Sequence, residues 1–352
     1  MRIVVAMSGG VDSSVAAALL ANEGHDVIGL SMQLYDQSNG EITFGSCCTL
    51  DDLYDARRVA AAIGIPHYIV NFERKFEESV IADFVREYAA GRTPIPCVHC
   101  NGDLKFASLV ERAAGFEAEA VATGHYARVD FDEDTARYRL KRGVDTQKDQ
   151  SYFLFTLSQA QLARARFPVG HLDKAAVRDE AHRLGLNVAG KKDSQEICFV
   201  PSGEHPGFVG KRANLPGGAI RDREGHELGR HEGIHRFTIG QRKGLGLSTG
   251  IPLYVVGIDA EDASVTVGPR ADLERNALTA SRVNWMSGDT PAGPIRAHAR
   301  IRYRHQEAPA TITPLGDDRV SVVFDDPQSA ITPGQATVFY NGDIVVGGGW
   351  ID

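Results

Sequence analysis

The chain has 352 residues, 43% of them hydrophobic and 24% charged, a balance typical of two or three globular domains and not of a disordered protein. Its apolar runs are shorter than the roughly 18 residues of a transmembrane helix, and its start does not fit a signal peptide, so we expect a cytosolic or organelle-matrix protein without a membrane partner and favour the cytoplasm. We also expect a monomer. The net charge of −8 argues against an indiscriminate nucleic-acid binder but leaves local basic surfaces open.

Strands and helices alternate along the first 125 residues. The pattern predicts strands at Arg2–Met7, Val27–Leu34, Pro66–Val70 and Ala120–Thr123, and helices at Ser13–Glu23, Leu53–Ile63, Glu77–Ala90 and Asp103–Ala114. This rhythm predicts an α/β fold with a parallel sheet and helices on both faces. Ligands bind beyond the carboxyl ends of such strands, so we expect Ser8-Gly9-Gly10 and Gly124-His125 to meet around one ligand.

Two further helices are predicted at Ser158–Arg166 and Lys174–Leu184, and the character of the sequence then changes at Pro201. From there Gly and Pro are frequent, and short alternating runs predict strands at Tyr254–Ile258, Ser264–Val267, Arg300–Tyr303, Val320–Phe324 and Ala336–Tyr340. We therefore predict three domains: a catalytic α/β domain at 1–200, a central β domain at 201–275 and a carboxyl-terminal β-barrel domain at 276–352.

The string from Ala6 to Ser14 follows the first predicted strand and opens the first predicted helix. Its two glycines let the main chain approach an anion, and the helix N-terminus and serine hydroxyls supply donors to phosphate. No Gly-Lys-Ser/Thr sequence ends the loop, so it is not a Walker A loop. We predict a pyrophosphate-binding loop in which Asp12 is available to Mg²⁺, with a Gly-rich turn that caps an ordinary helix as the alternative.

Three of the five cysteines are candidates for chemistry. Cys97 and Cys100 form a Cys-x-x-Cys pair before a predicted helix that Asn101 caps, where the helix dipole favours a reactive thiolate. Cys198 is the third candidate. The alternatives are buried structural cysteines or a zinc site, although no second Cys-x-x-Cys or His pair with finger spacing completes one. We interpret Cys47-Cys48 as structural.

A basic stretch, Arg296–His305, contains four arginines, two histidines and no acidic residue. As a strand it would carry one basic face, formed by Arg296, His298, Arg300, Arg302 and Arg304. This predicts contact with an RNA backbone, with a solvated β face as the alternative. Gln241-Arg242-Lys243, in a Gly-rich loop, is a second candidate for backbone contact.

The segment His231-Glu232-Gly233-Ile234-His235 matches the His-Glu-x-x-His pattern of zinc proteases. That pattern needs a helix to bring both histidines to one face, and the glycines at 229 and 233 disfavour one. We therefore do not expect zinc proteolysis.

The loop from Ser8 to Ser13 resembles the PP-loop of ATP pyrophosphatases, and the full set of motifs resembles the tRNA-specific 2-thiouridylases within that superfamily. Those enzymes make 2-thiouridine at the wobble position of glutamate, lysine and glutamine tRNAs. The resemblance covers essentially the whole chain. Its motifs are Ser8–Ser14, Gly91–Pro94, Cys100-Asn101, Lys105-Phe106, Thr123–Tyr126, Lys148–Tyr152, Lys192–Ser194, Cys198-Phe199, Thr238–Gly246, Arg302–Arg304 and Pro333–Gln335.

The resemblance implies an enzyme that uses ATP and Mg²⁺ to adenylate a tRNA uridine and then replaces its oxygen with sulfur. By resemblance the ATP-binding residues are Ala6, Met7, Ser8, Gly9, Gly10, Val11, Asp12, Ser13, Met32 and Gly124. Cys100 would be the nucleophile and Cys198 the persulfide carrier, with a disulfide between them as a product. The residues implied at the target base are Ile95, Pro96 and Cys97, and those implied at the tRNA are His125, Lys148, Asp149, Gln150, Arg302, Tyr303 and Gln335. A persulfide carrier or a cysteine desulfurase would donate the sulfur.

Cys97 departs from the family pattern, because many members carry an Asp there with a general acid/base role. A thiol does not simply replace that carboxylate. Cys97, Cys100 and Cys198 are therefore also candidate ligands of a four-iron cluster with one iron open to sulfide, the route that we favour over the persulfide.

Two other interpretations of the whole chain stay open beside the thiouridylase interpretation. The first is a PP-loop ligase acting on a small metabolite, which needs neither the three cysteines nor the basic strand. The second is a non-enzymatic metal- or RNA-binding module, which does not need the PP-loop.

Overall fold

The computed structural model describes residues 1–34, 49–193, 197–200 and 203–352, so Cys47-Cys48 lies outside the described residues. Strands and helices alternate in its amino-terminal part: β1 (Arg2–Ala6), α1 (Val11–Asn22), β2 (Asp26–Gln33), α2 (Leu50–Ile63), β3 (His67–Asn71), α3 (Glu73–Phe76), α4 (Ala82–Ala89), α5 (Pro96–His99), α6 (Ala107–Gly115), β4 (Ala120–Ala122), β5 (Ala127–Asp132), β6 (Arg137–Arg142), α7 (Gln159–Arg164), β7 (Ala165–Arg166) and α8 (Lys174–Arg183).

Strands dominate the rest of the chain. They are β8 (Gly218–Arg221), β9 (Glu227–His231), β10 (Tyr254–Asp259), β11 (Ser264–Gly268), β12 (Glu274–Trp285), β13 (Ile295–Arg300), β14 (Ala308–Gly316), β15 (Arg319–Ser329), β16 (Ala336–Asn341) and β17 (Ile344–Ile351), preceded by the short helix α9 (His205–Gly210). Within the described ranges, no helix is long and apolar enough to cross a membrane.

The amino-terminal strands form a parallel sheet in the order β3-β2-β1-β4-β7. Successive side chains of a strand point to opposite faces, so Val4 packs in one apolar cluster while Ile3 and Val5 pack in another. Helices cover both faces, as the sequence predicts. The strand order reverses between β1 and β4, and this switch point is where α/β sheets bind ligands.

Local signals explain where α2 begins and ends. Thr49 accepts a hydrogen bond from the N–H of Asp52, whose carboxylate accepts one from the N–H of Thr49 in return. Gly64 adopts φ 74°, the left-handed conformation that ends helices. The helix predicted at Leu53–Ile63 therefore begins three residues earlier, after the cap at Thr49, and ends where predicted, before Gly64.

Two predicted helices differ in detail from the observed ones. The helix expected at Glu77–Ala90 begins with a π-helical turn at Glu77–Ile81 before α4. The helix expected from Asp103 instead begins at Pro96, continues through a π-helical segment at Cys100–Phe106 and ends with α6. Proline favours the first helical position because its missing N–H is not needed there.

The β strands of the remaining chain form two sheets. One has the order β10-β11-β8-β9, and the other the order β12-β15-β14-β13-β16-β17-β6-β5. The hairpin of β5 and β6 comes from the amino-terminal part and joins the second sheet where Lys141 pairs with Ile344. This connection ties the first and last parts of the chain together and was not expected from the sequence.

The strand predicted at Arg300–Tyr303 is wrong. Strand β13 ends at Arg300, and a turn follows in which the N–H of His305 donates to the carbonyl of Arg302. The side chain of Arg300 also donates to the carbonyl of His305, at 2.9 Å. These bonds favour a turn over the extended backbone that a single basic face requires.

Candidate active site

The loop after β1 is shaped by close backbone approaches. Gly9 has φ 73°, and a Cβ there would lie 2.1 Å from the carbonyl oxygen of Asp52, so only glycine fits. The N–H of Ser8 donates to Oγ of Ser13 at 3.1 Å, and that hydroxyl in turn donates to the carbonyl of Gly10 at 3.2 Å. Gly10 caps α1 without a side-chain bond, so the first-turn N–H groups face the loop as donors for an anion.

Gly124, at the end of β4, packs directly on the first turn of α1. A Cβ there would lie 2.5 Å from the nitrogen of Ser13 and 2.6 Å from the carbonyl carbon of Asp12. The structure therefore brings together the two motifs that the sequence predicted around one ligand. Glycine is required at 124 by this approach to main-chain atoms, which cannot move independently of the helix.

Residues at the ends of β1 and β2 lie beside this loop. The N–H of Met7 donates to the carbonyl of Leu30 at 2.9 Å, and its carbonyl accepts from the hydroxyl of Ser31 at 2.6 Å. Met32 is buried in a large apolar cluster, against which Ala6 packs. Val11, at the start of α1, is buried in the cluster on the opposite face of the sheet.

Asp12 is held by two partners. Its Oδ1 accepts hydrogen bonds from the hydroxyl of Tyr126 and the ammonium of Lys174, both at 2.7 Å, and Lys174 lies 2.9 Å from Oδ2. The same ammonium lies 2.8 Å from Oδ1 of Asp193. Burial and the neighbouring carboxylate of Asp12 raise the pKa of Tyr126, which keeps its hydroxyl a donor.

Three cationic side chains contact the carboxylate of Asp193. Lys148 donates to its Oδ2 at 2.7 Å, while Lys174 and Arg178 approach its Oδ1 at 2.8 and 3.2 Å. Burial alone would raise the pKa of Asp193, but hydrogen bonds from Lys148 and Lys174 hold it below its usual range. Arg178 also donates to the carbonyl of Lys191, so the residues before Asp193 are fixed to α8.

Lys191 holds the phosphate loop from the other side. Its ammonium donates to the carbonyl of Gly9 at 2.9 Å and lies 2.5 Å from Asp52 and 2.7 Å from Asp55. Burial disfavours this charge, but the two carboxylates outweigh that effect and raise the pKa of Lys191. The segment 191–193 therefore contacts the phosphate loop through Lys191. Its Asp193 also contacts Lys174, which in turn bonds the first turn of α1.

Two of the three candidate thiols lie three residues apart in one continuous helical stretch. Cys97 is half-buried in α5, and Cys100 is buried in the following turn, within the large apolar cluster. The prediction that Asn101 caps this helix is wrong, because the helix begins at Pro96 and Asn101 is buried inside it. Cys97 therefore lies in the first turn of the helix, at the helix start expected for the Cys97–Cys100 pair, and Cys100 lies further into the helix.

Cys198 is half-buried and packs against the same large apolar cluster that contains Cys100. Its neighbour Phe199 contacts the rings of Phe76 and Phe84 at centroid distances of 5.5 and 5.2 Å. Aromatic edge contacts of this kind anchor the segment in the core.

The expected three-cysteine cluster is not supported by this placement. Across 1–34, 49–193, 197–200 and 203–352, no three His, Cys, Asp or Glu side chains are grouped closely enough to hold a metal ion. Cys97, Cys100 and Cys198 all lie in those ranges. A four-iron cluster needs its thiolates around one centre, so these residues as arranged do not fit it.

The candidate RNA contacts near β4 differ in exposure. His125 is half-buried, and its Nδ1 lies 2.7 Å from the hydroxyl of Thr123. Burial, with a smaller effect from Lys105, lowers the pKa of His125 to about 3, so its ring is neutral at pH 7. The side chain of Lys148 is about one-third exposed, while Gln150 is half-buried and accepts from the N–H of Tyr126 at 3.0 Å.

Asp149 has a different environment from its neighbours. It is 3% exposed, accepts hydrogen bonds from the N–H groups of Gly143 and Ser151, and lies between Arg142 and Arg300 at 3.9 and 3.6 Å. Its carboxylate therefore faces the interior. The expected contact between this side chain and tRNA is not supported by that orientation.

The basic stretch does not present one continuous face. Arg296 is paired with Asp325 at 2.6 Å, and Arg302 donates to the carbonyls of Ser329 and Ala330 at 3.3 and 3.0 Å. Tyr303 packs on Phe153 with a centroid distance of 4.4 Å, and burial raises its pKa. Arg302 and Tyr303 are both half-buried in the turn after β13.

Gln335 contacts protein rather than open surface through its amide nitrogen. That nitrogen donates to the carbonyls of Thr93 and Pro94 at 2.9 and 3.3 Å. These residues directly precede Ile95 and Pro96, where α5 starts. The carboxyl-terminal sheet therefore holds the loop that leads into the cysteine helix.

The zinc-protease pattern has no helix to support it. His231 ends β9, and His235 lies in a short 3₁₀ turn at Ile234–Arg236. Nδ1 of His231 accepts the N–H of Gly233 at 3.0 Å. The motif is therefore not helical, as the glycines at 229 and 233 indicated.

Several residues at the site were not predicted from the sequence: Tyr126, Lys174, Arg178, Lys191 and Thr238. Tyr126 and Thr238 belong to motifs named above, but their partners lie far away in the chain. Lys174 and Arg178 are one helical turn apart at the start of α8, a spacing that puts both on one face. For Lys174 and Arg178, this spacing was the only signal in the sequence that the two side chains act together.

Comparison with known proteins agrees with this architecture. Residues 1–202 match the family model described as tRNA methyl transferase HUP domain, residues 206–269 its PRC-barrel domain, and residues 275–351 the aminomethyltransferase beta-barrel domain. The protein named tRNA-specific 2-thiouridylase MnmA from Solibacter usitatus is 54% identical and is covered over 99% of each chain. The protein of that name from Geotalea uraniireducens is also 54% identical, over 100% of this chain and 95% of its own.

These relatives confirm the resemblance and the fold class predicted from the sequence, a parallel-sheet domain followed by two β domains. A third, from Magnetococcus marinus, is 50% identical over 99% of this chain and 98% of its own. Identity over 99% or more of this chain is not confined to the phosphate loop. This chain therefore belongs to the family of tRNA-specific 2-thiouridylases.

Proposed function

We propose that this 2-thiouridylase binds ATP at the loop from Ala6 to Ser13, adenylates O2 of a wobble uridine in glutamate, lysine and glutamine tRNAs, and delivers sulfur through Cys198 and Cys100. One observation carries the proposal. Cys100 and Met32 belong to one contiguous apolar cluster, against which Ala6 and Cys198 both pack. The end of the nucleotide loop's strand and two candidate thiols therefore pack in or against the same apolar cluster, which supports a common reaction pocket.

In the first step, O2 of the uridine attacks the α-phosphate of ATP and pyrophosphate leaves. The N–H groups at the start of α1 and the hydroxyls of Ser8 and Ser13 are suited to bind the leaving phosphates. Asp12 supplies carboxylate oxygens of the kind Mg²⁺ uses beside substrate phosphates, and bound Mg²⁺ would neutralise the charge that develops there. Lys174, which now pairs with Asp12, would then pair chiefly with Asp193.

In the second step, the terminal sulfur of a persulfide on Cys198 attacks C2, and AMP leaves. The thiolate of Cys100 then attacks Sγ of Cys198, which releases the 2-thiouridine and leaves a disulfide between the two cysteines. Two electrons from a thiol reductant restore both thiols before the next cycle. A persulfide carrier or a cysteine desulfurase would reload Cys198.

We prefer the persulfide to an iron–sulfur cluster because the described side chains form no three-ligand group. Cys97 then serves the target base together with Ile95 and Pro96. Its position in the first turn of α5, directly after Ile95 and Pro96, places the three residues together at the start of that helix. An iron and acid-labile sulfide count on anaerobically purified protein tests this choice, because three to four irons per chain would favour the cluster.

The RNA would approach from the side of His125, Lys148 and Gln150 and reach the turn at Arg302-Tyr303. Lys148 supplies a partly exposed charge for phosphate, and Tyr303 an aromatic ring for stacking. The target base must leave its stack to enter the pocket, as in other base-modifying enzymes. The domain divisions at 200/201 and 275/276, a cytoplasmic location and a monomeric state complete the proposal.

One experiment tests this function directly. Purified protein is incubated with ATP, Mg²⁺, a persulfide donor and unmodified glutamate tRNA, and pyrophosphate and 2-thiouridine are measured by coupled assay and mass spectrometry. We expect pyrophosphate release that depends on tRNA, and 2-thiouridine at the wobble position only. Pyrophosphate release without tRNA, on a small metabolite, would favour the ligase reading.

A further inference from the structure

The indole ring of Trp350 stacks on the imidazole ring of His99, the residue directly before Cys100. The two ring centroids are 5.2 Å apart and the ring planes differ by 27°. Trp350 belongs to β17, the last strand of the chain, whereas His99 ends α5. The carboxyl-terminal sheet therefore contacts the helical turn that carries Cys97 and Cys100.

His99 has a second partner in the amino-terminal part of the chain. Its Nε2 lies 3.4 Å from Oδ2 of Asp83 in α4, and the two side chains are 13% and 11% exposed. Asp83 also accepts a hydrogen bond from Arg86 on the same helix. The imidazole therefore contacts a carboxylate of α4 and the indole of β17, and a shift of its turn would weaken one or both contacts.

Trp350 is held firmly in its own sheet. Its main chain pairs with Ser281 of β12 on one side and with Ala336 of β16 on the other. Its ring lies 5.2 Å from that of Phe155, and the guanidinium carbon of Arg282 lies 4.4 Å from the ring centroid. A strand with partners on both edges moves little, so Trp350 is a rigid support for the turn at His99.

We propose that Trp350 is a positioning residue of the thiolation reaction, which sets the placement of Cys97 and Cys100 through its stack on His99. This inference rests on the proposed function of those two thiols. Cys100 directly follows His99, so a shift of the His99 backbone also moves Cys100. Misplacing a reacting group by about 1 Å can slow a reaction about 100-fold, so a loosened turn lowers the rate of sulfur transfer.

The first test compares Trp350→Ala and Trp350→Phe with the native chain. We expect kcat for thiolation to fall about 10-fold or more in Trp350→Ala, while KM for tRNA stays within about twofold. Trp350→Phe keeps an aromatic ring to stack on His99, so its kcat should recover to within about threefold of the native value.

A second readout needs neither tRNA nor turnover. Cys100 is 7% exposed, so its alkylation by iodoacetamide depends on local opening of the helix. Trp350→Ala should speed this alkylation about 10-fold, as measured by mass spectrometry of the peptide that contains Cys100. Alkylation of Cys198, which lies on a separate segment, should change by less than about twofold.

A double-mutant cycle tests whether Trp350 acts through His99. His99→Ala and Trp350→Ala remove the same stack, so the double variant should have a kcat within about twofold of the slower single variant. Multiplied losses in the double variant would mean that the two residues act independently, and would overturn the proposal.

Trp285 provides a matched control for the loss of a large aromatic ring. It packs on Phe339, 6.0 Å away, within the apolar cluster of the carboxyl-terminal sheet. Trp285→Ala should therefore lower the urea midpoint at least as much as Trp350→Ala does. Its kcat and its rate of Cys100 alkylation should stay within about twofold of native under conditions in which it is folded. If Trp285→Ala does not fold, Trp285→Phe replaces it.

Two further outcomes would overturn the proposal: a higher KM for tRNA with unchanged kcat in Trp350→Ala, or unchanged alkylation of Cys100 in that variant. If Trp350→Ala does not fold, Trp350→Leu and His99→Ala carry the test. A native chain that makes no 2-thiouridine refutes the proposed function, whereas the alkylation rates would still decide whether Trp350 holds the turn at His99.

Discussion

The ammonium nitrogen of Lys174 lies 2.7 Å from Oδ1 of Asp12, in the first turn of the helix that follows the phosphate loop. The same nitrogen lies 2.8 Å from Asp193, which in turn pairs with Lys148. One cation therefore joins the nucleotide loop to the segment that leads to Cys198 and to a candidate RNA contact. A cation that binds Asp12 would compete with Lys174 for the same carboxylate.

Lys174→Met should destabilise the protein by about 1–3 kcal/mol, because it leaves the half-buried carboxylates of Asp12 and Asp193 close together without the cation between them. Urea unfolding followed by circular dichroism measures this difference. Lys211→Met, at an exposed position, is the control and should change stability by less than about 0.5 kcal/mol. Equal free energies of unfolding for the two variants would show that the bonds of Lys174 to Asp12 and Asp193 do not stabilise the protein.

Gly124→Ala should abolish most tRNA-dependent pyrophosphate release. The added methyl group would lie 2.5 Å from the nitrogen of Ser13, so the start of α1 must move away from the sheet. We expect at least a tenfold loss, with ATP affinity measured by calorimetry falling in parallel. Gly115→Ala is the matched control, since a Cβ at that helical glycine meets nothing within 4 Å. Normal ATP binding in Gly124→Ala would contradict the assignment of this contact to the nucleotide site.

Cys198→Ser and Cys100→Ser should each abolish 2-thiouridine formation while tRNA binding stays near normal. Serine is close to cysteine in size but carries no sulfur to load, transfer or resolve. The adenylation step needs neither thiol, so both variants should still release pyrophosphate when tRNA is added. Thiolation by either variant would refute its role, and loss of pyrophosphate release would mean that the residue acts before sulfur transfer.

The protein should lose stability as pH falls from 7.5 to 5.5. The ordinary pKa of His125 is 6.5, and burial lowers it to about 3 in the folded chain, so the unfolded state binds more protons across this range. The stability from this group is nearly complete at pH 7.5 and falls by about 1 kcal/mol on going to pH 5.5. Burial also lowers the pKa of His205 and His235, which adds to the same trend.

Urea midpoints at the two pH values measure this loss, and His125→Asn is the comparison. The variant has no ring to protonate, so its stability should fall by about 1 kcal/mol less than that of the native chain over the same interval. An identical pH dependence in both proteins would mean that His125 is as readily protonated when folded as when unfolded.

The sequence predicts the phosphate loop and the strands and helices of the parallel sheet. Period-2 and period-3.6 patterns are local, so β1, α1, β2 and α2 were all predicted to within a few residues. The π-helical segment at Cys100–Phe106 was not predicted, because its pattern of apolar residues resembles that of an ordinary helix. The same limit explains the wrong cap at Asn101.

By itself, the sequence determined the family, the alternation of strands and helices, and the meeting of Ser8–Ser13 with Gly124, because motifs and periodicity are properties of neighbouring residues. Only the tertiary structure decided that Asp12 pairs with Lys174, that Asp149 faces inward and that Gln335 holds Thr93. A charged or amide side chain takes whichever partner the packed chain brings within about 3 Å, and that partner is set by packing and not by sequence distance.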